Sequence, residues 1–168
     1  MRTTQHFHPK SISNFKTQLL SWAQLFEDVV WLDSNNYDEK YSTYDAILAV
    51  EAFTSLKTDH FDAFNKLDEY QSATKDWIFG YLTYDLKNTT EDLSSCNFDG
   101  LHFPDLYFFQ PKKLFLIKGD TVEIQYLRMV DDEIDDDLKF LKRNNVSIGD
   151  SVDILSNIVY SGIIMPRY

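Results

Sequence analysis

The 168 residues suffice for one domain with a real core and are short for two. Against 27 acidic residues stand 16 basic ones, a net charge of -11 that repels phosphate backbones and anionic head groups. Lys112 and Lys113 stand nearly alone, so no basic patch offsets that charge, and nucleic acid and membrane surfaces are not expected partners. The single cysteine, Cys96, closes no internal disulfide, and no basic-then-apolar leader opens the chain, so the expected compartment is a reducing cytoplasm. The longest apolar runs are too short to cross a bilayer. An aromatic content of 15% favours sheet-rich packing.

Residues 1 to 10 read as polar and irregular. Ser13 can cap a helix whose Phe15, Leu19, Trp22, Ala23 and Phe26 recur at three- and four-residue steps, placing one apolar face on a sheet. The run Val29-Val30-Trp31-Leu32 reads as a short buried strand stopped by Asp33-Ser34-Asn35-Asn36, side chains that bond to the backbone in turns. Tyr44 to Phe53 is the next strand, apolar on both faces from Ala46 to Val50 and therefore central. A helix from about Asp59 to Tyr70 would bury Phe61, Phe64, Leu67 and Tyr70.

Trp77 to Tyr84 reads as a strand whose Gly80 marks a bulge or a second backbone packed against it. Tyr81 and Tyr84 are then expected to serve core and cross-strand packing. A polar loop around Ser94 to Asp99 leads to Leu106-Tyr107-Phe108-Phe109. Leu114 to Ile117 and Val122 to Tyr126, joined at Gly119-Asp120, form a hairpin. Asp131 to Lys142 reads as a helix with Ile134, Leu138 and Leu141 inward, and the remainder is weakly patterned. Helix, strands, helix and strands make an α+β fold with a mainly antiparallel sheet, one domain over residues 1–168.

Chemistry-bearing patterns are sparse. The glycines at 80, 100, 119, 149 and 162 have no phosphate-loop spacing. His6 and His8 alternate in an end expected to fray, His60 and His102 lack partners nearby in sequence, and no metal site is expected. Cys96 reads as a bystander thiol. The acidic run from Asp131 to Asp137 reads as the solvated start of a helix, where carboxylates complement the dipole.

Two segments carry a family resemblance. Trp77 to Leu86, Trp-Ile-Phe-Gly-Tyr-Leu-Thr-Tyr-Asp-Leu, resembles the glycine-aromatic-aspartate strand of component I of anthranilate and para-aminobenzoate (aminodeoxychorismate) synthases, and Phe103-Pro104-Asp105-Leu106-Tyr107-Phe108-Phe109 resembles that family's proline-aspartate strand. Trp31-Leu32-Asp33-Ser34 stands where the family has Leu-Leu-Glu-Ser, and Tyr41-Ser42-Thr43-Tyr44-Asp45 resembles the para-aminobenzoate-type continuation. The resemblance covers roughly residues 20 to 128.

It implies the N-terminal part of an enzyme that aminates chorismate toward a folate precursor, ending at Met165-Pro166-Arg167-Tyr168, about where a catalytic half would begin. Catalytic residues and magnesium belong to that C-terminal chorismate-binding half. A glutamine amidotransferase component II would supply ammonia, and this chain alone is expected to be inactive and to hold no cofactor. An anthranilate synthase component I and a stand-alone small-molecule-binding domain are the alternatives. The resemblance also implies a tryptophan site in which Asp33 and Ser34 meet the amino-acid end while Tyr41 and Tyr44 flank the indole. The competing reading is that Asp33 and Ser34 only end a strand through side-chain-to-backbone bonds.

Overall fold

The computed structural model describes residues 1–35, 37, 43–89 and 103–143. Its strands are β1 Arg2–Phe7, β2 Val29–Asp33, β3 Ala46–Thr58, β4 Phe79–Leu82, β5 Leu106–Lys118 and β6 Thr121–Leu127; its helices are α1 Ile12–Ala23, α2 Ala63–Thr74 and α3 Ile134–Arg143. The sheet runs β1-β6-β5-β3-β2, with β4 on β5. The β1–β6, β2–β3, β4–β5 and β5–β6 pairs are antiparallel, as an α+β chain of this patterning requires. The chain falls into two compact units, and the long strands β3 and β5 each contribute to both. The first holds Met1–Glu51 with residues 112–143, and the second residues 52–89 with 103–111.

In the first unit, α1 lays Phe15, Leu19, Trp22 and Ala23 against Leu48, Phe115, Ile124 and Tyr126 of the sheet. Its cap is Ser11 rather than Ser13. Ser11 sits in the extended region, and its hydroxyl accepts from the Asn14 amide at 3.4 Å. The Ser13 carbonyl instead accepts from the Thr17 hydroxyl inside the helix. Helix α3 adds Ile134 and Leu141 to the same core, with Leu138 packed beside them, as its spacing predicts. The β5–β6 hairpin turns at Gly119, whose φ of +58° suits a residue without a side chain, and closes with Lys118 opposite Thr121.

The N-terminal segment is not irregular. It is the edge strand β1, paired along its whole length with β6 from Arg2 opposite Leu127 to Phe7 opposite Val122. Main-chain hydrogen bonds hold an edge strand whatever its side chains, so Arg-Thr-Thr-Gln-His needs no apolar alternation to take this place. Strand β3 extends five residues past the expected Phe53 end. The 13-residue β5 joins what reads in sequence as two strands, running through Pro111, which forfeits a single ladder donor.

The second unit packs Ala63 and Leu67 of α2 against Ile78, Leu86, Leu106 and Phe108. Helix α2 starts at Ala63, after Asp62 in the left-handed region at φ +54°, so its buried stripe differs from the expected one. Phe61 precedes the helix and is 74% exposed, and Phe64 is 46% exposed; Tyr70 does pack on the cluster. Strand β4 stops at Leu82. Tyr84 falls in the 3-10 segment Tyr84–Thr89, 79% exposed with the Lys87 ammonium 4.1 Å above its ring, and takes no part in cross-strand packing. Tyr81 does pack across, 5.8 Å from the Tyr107 ring. The expected Ser94–Asp99 loop, Cys96, His102 and the weakly patterned stretch after residue 143 lie outside the described residues.

Candidate functional site

Of the residues assigned to a ligand pocket by resemblance, Asp33, Ser34 and Tyr44 lie where β2 ends and β3 begins. Asp33 is the last residue of β2, opposite Ala46. From α1, Lys16 reaches both of its carboxylate oxygens, at 3.1 and 3.0 Å, and the Asn35 amide donates to one of them at 2.9 Å. Both side chains are mostly shielded, so the charge of Asp33 is already answered within the chain. Ser34 donates its amide to the Asp45 carbonyl at 2.9 Å and accepts from the Tyr37 amide at 2.9 Å, which makes its backbone part of a turn. Its hydroxyl makes no bond among the described residues.

Tyr44 is partly buried. Burial, and then the negative charge of Glu123, raise its hydroxyl above the ordinary phenol range. Tyr41 lies outside the described residues. The structure thus brings Asp33, Ser34 and Tyr44 to one end of the β2–β3 pair, with Asp45 as the link. Its amide donates to the Ile117 carbonyl at 2.8 Å, and its carboxylate accepts from the Gly119 amide at 2.6 Å, pinning the hairpin turn beside the strand start. Sequence reasoning missed Lys16 and Asp45. Their partners lie far along the chain, and nothing local in the sequence signals them.

A second polar cluster lies in the first unit's core. The Lys113 side chain is 4% exposed, and its ammonium meets Glu133 at 2.6 Å and Asp137 at 2.7 Å. It lies 5.5 Å from the Trp22 ring and 5.3 Å from those of Phe26 and Tyr126. Burial works against the charged amine, and the bonds from Asp137 and Glu133 outweigh it, so Lys113 titrates above an ordinary lysine. The Tyr126 hydroxyl donates to Asp137 at 2.9 Å and is pushed far up, by burial first and by the Asp137 charge second. The acidic run is therefore only partly solvated: Asp135 and Asp136 face water, while Asp137 ties α3 to β5. Lys112 is paired as well, at 2.6 Å from Glu51. Lys113 bonds to both Glu133 and Asp137, and Asp137 also accepts from Tyr126, so the cluster serves as an anchor for α3.

In the second unit the two segments that carry the resemblance are neighbours, with Phe79 opposite Phe109, Gly80 opposite Phe108 and Tyr81 opposite Tyr107. A side chain at Gly80 would run into the Tyr107 carbonyl and lie 2.6 Å from the Phe108 Cα, which is why this strand carries glycine there. Thr83 extends the pairing: its amide donates to the Asp105 carbonyl at 2.8 Å and its hydroxyl to the Asp105 carboxylate at 3.1 Å. The other oxygen of Asp105 lies 3.4 Å from His60 Nδ1, a partner that proximity in sequence does not offer.

Among the described residues no group of three or more His, Cys, Asp or Glu side chains is placed to hold a metal ion, so none is assigned to magnesium. No described helix is long and apolar enough to cross a membrane. No protein-family model matches the chain, and no curated protein matches it.

Proposed function

We propose that this chain is the N-terminal, non-catalytic part of component I of a chorismate-aminating synthase of the para-aminobenzoate kind, working in the cytoplasm. One observation supports the reading above the rest. The two segments that resemble the family's motifs, separated by the 16 residues from 87 to 102, are adjacent antiparallel strands locked by Gly80 and by the Thr83–Asp105 bonds. In this reading the chain is scaffold and ligand sensor. A C-terminal half supplies the magnesium carboxylates and the chorismate site, and an amidotransferase subunit supplies ammonia. Asp33, Ser34, Tyr41 and Tyr44 form the tryptophan pocket, and Lys16 holds Asp33 in place until an amino group competes for it.

The test is to read the gene past residue 168 and to assay its full product with chorismate, ammonia and magnesium. The expected result is an aminated chorismate product from the full protein and none from residues 1–168. A full product that neither binds nor converts chorismate would overturn the proposal.

A further inference from the structure

We propose that the outer edge of β3 over residues 53–57 pairs with the same edge of a second copy of this chain, antiparallel and centred on Ser55. Strand β2 covers β3 only as far as Val50, opposite Val29, so no described strand lies along the next residues on that side. The direction of the main chain follows from Tyr70. Its hydroxyl accepts from the Gln110 amide of β5 at 3.0 Å and donates to the Thr54 carbonyl at 2.9 Å, so the main-chain groups of Thr54 face β5. Alternation along a strand then turns those of Phe53, Ser55 and Lys57 outward.

Phe53, at 47%, Thr54, Ser55 and Lys57 are exposed, and Leu56 is half-buried against the second unit's core. Natural edges avoid pairing through proline, inward charges or short length, and this stretch, Ala-Phe-Thr-Ser-Leu-Lys-Thr, carries Lys57 as its one charge and no proline. The edge is also self-complementary. With Ser55 opposite itself, Phe53 of one copy faces Lys57 of the other on both sides of the two-fold axis. The Lys57 ammonium already lies 4.8 Å above the Tyr107 ring, so it is presented on the aromatic face where Phe53 of the second copy would arrive. A two-fold pairing consumes the edge, which a foreign strand of unrelated sequence does with no such match. Two copies at -11 each repel one another, so the association is weak and tightens as salt screens that charge.

Sedimentation equilibrium of the chain from about micromolar to about millimolar concentration, at low and high salt, reads this directly. The expected result is a monomer–dimer equilibrium favoured by salt. Ser55→Pro removes an outward amide that bonds to none of the described residues of its own chain and should weaken the dimer about thirtyfold with unchanged circular dichroism and melting. Phe53→Lys sets like charges opposite each other and should also weaken it, whereas Phe53→Glu should preserve it; this pair decides the matter if the proline variant misfolds. A chain monomeric throughout, a dimer indifferent to both Ser55→Pro and Phe53→Lys, or an open-ended series of larger species would each overturn the proposal.

Discussion

The two compact units settle their polar groups in opposite ways. In the first, the β5–β6 ladder is paired from Lys113 opposite Tyr126 to Lys118 opposite Thr121, and the charge that falls in the core, Lys113, is met there by Glu133 and Asp137. In the second, β4 offers only four residues, a tyrosine hydroxyl is spliced between Gln110 and Thr54, and Phe53, Phe61, Phe64, Leu82, Tyr84 and Phe103 remain exposed. A continuously paired ladder resists local opening more than one interrupted by an inserted side chain. Stability should therefore be unequal, highest in the hairpin and lowest along the second half of β3.

The largest expected effect comes from breaking the closed unit. Lys113→Met leaves Asp137 shielded without its cation and should cost about 3 kcal/mol, discounted from a fully buried pair because Glu133 is half exposed and regains water. Urea unfolding checks the value. The same cluster fixes a pH dependence. Tyr126 and Lys113 both bind their protons more tightly when folded than at the ordinary values of 10.0 and 10.5. Their contribution is fully present below about pH 10 and is lost as pH rises, because the unfolded chain releases those protons first. Thermal melts from about pH 8 to about pH 11 should fall at the alkaline end, and Tyr126→Phe should flatten that fall.

Smaller effects sharpen the open unit. Gly80→Ala forces β4 away from the Tyr107 carbonyl and should cost about 2–3 kcal/mol, read by urea unfolding with Trp77 beside β4 as the fluorescent reporter. Tyr70→Phe removes the hydroxyl that joins Gln110 to Thr54 and should cost about 1–2 kcal/mol, with faster exchange at the Gln110 amide. The smallest effect concerns the pocket. In calorimetry of the full gene product, Ser34→Ala should weaken tryptophan about fivefold, while Lys16→Met, which frees the Asp33 oxygens, should strengthen it by a similar factor. Equal affinities in both variants and the parent would remove these residues from the pocket.

The parts legible in the sequence were those whose pattern is local. The hairpin reads from the alternation of Val122, Ile124 and Tyr126 and from Gly119, and α3 reads from the spacing of Ile134, Leu138 and Leu141. Gly80 read as a bulge or a close backbone, and the Tyr107 carbonyl supplies that close backbone. What stayed hidden depends on distant partners. Strand β1 is held by the main chain of β6, which leaves no mark on its side chains. Phe61 and Phe64 have helical spacing but lost the core to Ala63 and Leu67 once Asp62 set the start of α2. Lys112 and Lys113 read only as standing nearly alone, because Glu133 and Asp137 meet Lys113 through tertiary packing, and Lys16 was missed for the same reason, 17 residues from Asp33.

Native-state hydrogen exchange at low protein concentration tests the division between a closed unit and an open one most directly. Amides of Phe115, Ile117, Ile124 and Tyr126 should exchange only through global unfolding and share its denaturant dependence. Those of Phe53, Ser55 and Lys57 should exchange at nearly unprotected rates, and Gln110 should fall between the two groups and lose protection in Tyr70→Phe. Uniform protection across both groups, or faster exchange in the β5–β6 hairpin than along the second half of β3, would contradict the account.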